Sequence, residues 1–125
     1  MSTTNPVVYF EIPVTDLDRA EAFYKQVLGF VFEREVIDGY DMALFPFTDH
    51  IAGISGALAK GEAYVPSKNG AVLYFKTKDI DDTIRKAEEQ GANVLYPKTT
   101  NDKYGFFVAE IEDSEGNRIA LHQEF

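Results

Sequence analysis

Glu11 and His122 are the side chains of this sequence best suited to general acid/base work. Each sits in a stretch where apolar and polar residues alternate, "YFEIPV" and "RIALHQE". The period of two puts them on the face opposite Ile12 and Leu121. A carboxylate and an imidazole facing one cavity could share a proton, with the acid holding the ring charged or oriented. They could also ligate a displaced metal with help from Glu124 or Tyr74. The plainer reading is that His122 and Glu124 end the last strand and face water. Tyr9 and Tyr74 share that polar face, and Tyr40, Tyr64 and Tyr104 stand on loops and strand ends. Together they would give a cup an aromatic, hydrogen-bonding wall suited to flat or partly apolar ligands. Singly, each tyrosine reads as ordinary half-buried sheet packing. Lys76 and Arg118 are the cations of this face, placed either to pair with a ligand carboxylate, or with Glu11 and Glu124, or to stand solvated. His50, beside Asp49 in a turn, reads as a surface residue.

The elements that must position these groups are legible in the spacing. Val8 to Val14 alternates as a strand. Asp16 then stands where an N-cap belongs, and Leu17, Ala20, Phe23, Tyr24, Val27 and Leu28 follow at helical spacing up to Gly29. Three strand-like runs come next, about Val31 to Ile37, Tyr40 to Phe47 and Ile54 to Ala59, divided by "DG" and by the turn near Asp49 to Gly53. After the turn-rich segment "KGEAYVPSKNG" the order βαβββ begins again. Ala71 to Thr77 is a strand, Asp79 caps a helix that ends before Gly91, and three strands run to the C-terminus. A shift of 63 positions lays Asp16-Leu17-Asp18 on Asp79-Ile80-Asp81, and Gly53 with Ala57-Leu58 on Gly116 with Ala120-Leu121. The expected fold is α+β: two tandem βαβββ modules, about 7–60 and 71–125 around a linker at 61–70, in one domain. Their helices should cover one side of a curved mixed sheet. The other side is a concave cup bearing Tyr9, Glu11, Val72, Tyr74, Lys76, Ala57, Arg118, Ala120, His122 and Glu124.

Composition removes several classes of function. The 125 residues carry 21 acidic and 12 basic side chains, a net charge of −9 that disfavours nucleic acid and anionic membranes. No apolar run nears the roughly 20 residues of a membrane span, and the polar "MSTTNP" start is unlike a secretory signal, so a soluble cytoplasmic protein is expected. Without cysteine there is no thiolate nucleophile or thiolate metal site. The glycines of "AGISG" precede no helix and form no phosphate loop.

The string "YFEIPVTDLDRAEAFYKQVLGF", the paired modules and the closing "EDSEGNRIAL" together resemble the vicinal oxygen chelate superfamily, which includes glyoxalase I, extradiol dioxygenases and bleomycin-resistance proteins. The resemblance implies a cup whose metal-binding members hold a divalent ion with His, Gln or Glu from four repeat-equivalent positions. Carried onto this chain, those positions are Tyr9, Ala57, Val72 and Ala120. A zinc site commonly needs three protein donors, and this set offers one phenol. The expectation is therefore no cofactor, no conventional metal, and a small organic ligand bound in the cup by a homodimer. The alternative is a glyoxalase-type lyase or isomerase acting on a small carbonyl compound through Glu11 and His122 or an atypical metal site.

Overall fold

The structure, a computed structural model, describes residues 6–49 and 52–125, so His50 lies outside the described residues. The first module runs β1 (Tyr9–Val14), α1 (Leu17–Leu28), β2 (Glu33–Ile37), β3 (Tyr40–Leu44) and β4 (Ser55–Lys60). The second runs β5 (Leu73–Lys76), α2 (Ile80–Glu89), β6 (Val94–Asn101), β7 (Phe106–Glu112) and β8 (Arg118–Glu124). Each module forms its own four-stranded mixed sheet, in the orders β1-β4-β3-β2 and β5-β8-β7-β6. The first strand of each module is thus an edge strand, parallel to the last.

The internal repeat extends to strand register. Glu11 faces Ala57 and, 63 positions on, Tyr74 faces Ala120; Pro13 faces Ala59, and Lys76 faces His122. The strand ends differ by one to three residues from the sequence reading, the largest difference at β3, which ends at Leu44 instead of Phe47. One difference touches a candidate position: Val72 precedes β5 instead of lying in it.

Helix α1 starts where the Asp16 carboxylate accepts from the Arg19 N–H, and stops at Gly29, whose φ of 77° is the left-handed conformation glycine adopts without a Cβ penalty. It buries Leu17, Ala20, Phe23, Tyr24 and Val27; each large apolar side chain contributes about 1.5–3 kcal/mol. Asp79 caps α2 in the same way, through the Asp82 N–H. Both helices and the helix-facing sides of both sheets share one core, in which Ile12, Leu58, Ile119 and Leu121 are buried as the alternation predicts. Between the modules the core is aromatic. Phe10 lies 5.2 Å from Phe45 and 6.1 Å from Phe75, and Phe45 and Phe75 stack at 5.7 Å.

The turn "DSEGN" of the second module fastens it to the first. The buried Glu115 carboxylate accepts from the backbone N–H of Thr15 and Asp16, both at 2.9 Å, and from the Arg19 guanidinium at 2.7 Å. The Asn117 side-chain amide donates to the Pro13 carbonyl at 2.8 Å and accepts from the Ser67 N–H at 3.0 Å. Asp113 accepts from the buried Tyr24 hydroxyl at 2.7 Å and from the N–H groups of Glu115 and Asn117.

Candidate functional site

On the first sheet, the face turned away from the helices carries a small packed cluster. Its floor is small: Ala57 and Ala59 are fully buried, with Met42 beside them. Tyr40 and Tyr64 stand against this floor with their rings 5.3 Å apart and nearly perpendicular, at 87°. Glu11, opposite Ala57, is gripped from two sides. The Tyr64 hydroxyl donates to one carboxylate oxygen at 2.9 Å, and the Tyr9 hydroxyl donates to the other at 3.1 Å.

Glycine makes this arrangement possible at one point. A Cβ on Gly61 would come within 2.2 Å of the Tyr40 ring, so only glycine lets that ring lie over the backbone. The Gly61 carbonyl also accepts from the Tyr64 N–H, which folds the segment back and brings Tyr64 over the sheet. Partial burial, and then the hydrogen bond and charge of Glu11, push the Tyr9 phenol up to about 12. The Tyr64 phenol is raised too, chiefly by its bond to Glu11. Both hydroxyls therefore remain donors at neutral pH.

The second sheet is arranged differently. The ring of His122 lies on Phe106, with centroids 4.8 Å apart. Arg118 pairs with Glu110 at 2.7 Å, instead of with Glu11 or Glu124. Glu124 is exposed at the end of β8. Among the described residues no hydrogen bond joins Glu11 to His122; they lie on different sheets, with separate partners. Tyr40 and Tyr64 join Tyr9 and Glu11. Tyr104 is exposed beside Lys103, and Tyr74 lies on the other sheet.

The four positions of a chelate site offer few donors. Ala57 and Ala120 are fully buried methyl groups, Val72 has no donor, and the Tyr9 hydroxyl is committed to Glu11. These residues do not fit a divalent cation. Among the described residues no three His, Cys, Asp or Glu side chains gather as a metal site.

A cavity of about 530 Å³ opens between the modules, beside the free edge of β5. Phe10, Phe30, Phe45, Phe47, Tyr74 and Phe75 form its aromatic wall, and Lys76 is the charged side chain among its described lining residues. Strand alternation puts Phe10 and Phe75 on the helix-facing side with Ile12 and Leu121, and both pack against the core. Alternation within a strand gives no sign that the core stays open where they meet.

A family model, the Glyoxalase/Bleomycin resistance protein/Dioxygenase superfamily, matches residues 7–121. The chain belongs to this superfamily. Among curated proteins, a glyoxylase-like domain-containing protein of Didymella fabae is 29% identical over 114 residues, covering 89% of this chain and 88% of its own. Two solved structures show the same fold. TnmS3, an antibiotic binding protein from Streptomyces sp. CB03234, has 22% identity and a TM-score of 0.69, with full coverage of both chains. A V278E mutant of glyoxalase I from Zea mays has 20% identity and a TM-score of 0.72 over 94% of this chain and 46% of its own. No helix among the described residues of this superfamily member is long and apolar enough to cross a membrane.

Proposed function

We propose that this superfamily member binds a small organic molecule in the cup formed by its concave face, without a conventional metal, and that the ligand carries a positive charge. The observation that carries the reading is Glu11, held by the Tyr9 and Tyr64 hydroxyls beside Tyr40 over the floor of Met42, Ala57 and Ala59. A fixed carboxylate flanked by aromatic rings attracts an organic ammonium by direct charge and by the ring quadrupoles, which contribute about 0.5–2 kcal/mol. The net charge of −9 adds long-range attraction for a cation. TnmS3, an antibiotic binding protein, is built on the same fold.

The lyase or isomerase alternative has less support, because Glu11 and His122 have separate partners on separate sheets. A cytoplasmic homodimer belongs to the same proposal. Apolar side chains stand exposed on the outer strands, with Val36 67% and Tyr96 50% accessible.

Benzyltrimethylammonium should raise the melting temperature of the native chain, with benzyl alcohol as the uncharged comparison. Glu11→Gln should weaken that cation by about tenfold, the loss of one charged contact. No shift with the cation, or equal shifts in the native and Glu11→Gln proteins, would overturn the reading.

A further inference from the structure

The inter-module cavity lies apart from the cluster around Glu11 and has the opposite chemistry. It is about 530 Å³, within the roughly 300–1,000 Å³ of small-molecule sites, and its wall is aromatic. That wall is fixed in place: Phe10, Phe30 and Phe75 each pack on Phe45 at 5.2–5.7 Å. The rim is left wet, with Phe47 66% and Tyr74 57% exposed. Covering such rings with a flat apolar body releases their hydration, and offset stacking adds to the gain.

One charge reaches this wall. Lys76 neighbours His122 in the sheet and makes no ion pair with a carboxylate among the described residues, whereas Arg118 on the neighbouring strand is spent on Glu110. The neutral polar group of Ser55 donates to the Pro46 carbonyl and is also spent. An ammonium without a partner beside stacked phenylalanines selects a ligand with an anionic group on an aromatic body. The net negative charge does not forbid this. At about 0.1 M salt the repulsion of distant carboxylates is screened beyond roughly 10 Å, while the contact with Lys76 is not.

We propose that the cavity between the modules is a second binding site, taking a flat aromatic carboxylate or sulfonate with its ring against Phe45, Tyr74 and Phe75 and its anion on Lys76. The probes are 1-anilinonaphthalene-8-sulfonate, followed by its fluorescence, and 2-naphthoate as competitor. The full chain should bind one equivalent of the dye with unchanged near-ultraviolet dichroism, and 2-naphthoate should displace it at least tenfold better than 2-naphthalenemethanol. Lys76→Ala should weaken the dye by about tenfold, a charged contact's worth. Tyr74→Ala should weaken it further, and Lys103→Ala, on a remote turn, should leave it unchanged. Both altered side chains are exposed, so the variants keep the core intact. Absence of dye binding, or binding indifferent to both Lys76→Ala and Tyr74→Ala, would overturn the proposal.

Discussion

Glu115 illustrates how one side chain can set the acid limit of a small protein. Burial by itself raises its pKa, but the hydrogen bonds from Arg19, from the Asp16 and Thr15 N–H groups and from the Thr15 hydroxyl outweigh burial and hold it at about 2, against an ordinary 4.5. A carboxyl whose folded pKa is depressed contributes stability that is present above the unfolded value. That stability is lost as the pH falls from about 4.5 through about 2. Glu115→Gln should therefore cost about 2–3 kcal/mol in urea unfolding at pH 7, and less at pH 3. An equal loss at both pH values would count against the charge as the cause. Asp113 complicates the native profile alone, because burial, its largest influence, pushes that carboxyl upward despite bonds from Tyr24 and Asn117. Its stabilising contribution therefore declines as pH rises, and comparison of the variant with the native chain separates the two.

At the scale of elements, the connection after β4 is where position and function meet. Gly61 lets the Tyr40 ring lie against the backbone and turns Tyr64 toward Glu11. Gly61→Ala should displace Tyr40 and weaken benzyltrimethylammonium at least as much as Glu11→Gln does, while far-ultraviolet dichroism stays unchanged. Full retention of affinity would show that Tyr40 has no part in the site. Much of this level was legible in the sequence. The cap residues Asp16 and Asp79, the stop at Gly29 and the alternation through Phe10, Ile12 and Leu121 follow from local rules, and the family signature spans both modules. The partners of Glu11 were harder to see. Tyr64 lies in a turn-rich segment with no periodicity, and its bond to Glu11 spans 53 positions. Arg118 misled for a related reason: strand alternation gives the face a residue occupies, but Glu110 is its neighbour only through the β7–β8 register. The open seam at Phe10, Phe45 and Phe75 depends on how two sheets approach, which alternation within a strand does not encode.

The whole molecule places a carboxylate among tyrosines on one sheet and an ammonium beside phenylalanines between the modules. Its sheets also end in exposed apolar edges, Val36 on β2 and Val94, Leu95 and Tyr96 on β6. A lone chain with such edges risks edge-to-edge pairing, and a two-fold dimer, the commonest closed assembly of soluble chains, would cover them. Light scattering should accordingly give twice the 14.0 kDa of the chain, and Val36→Lys with Tyr96→Lys should return it to that mass. A native mass of one chain would exclude the homodimer.

The "DSEGN" strap runs in one direction only. In the first half, Ala52 and Ile54 occupy the positions that correspond to Glu115 and Asn117, and neither side chain can give or take a hydrogen bond. A chimera assembled from two first halves would therefore have no stitch across its midline. One assembled from two second halves would carry the stitching residues twice, so the halves are not interchangeable even though their strands superimpose in register.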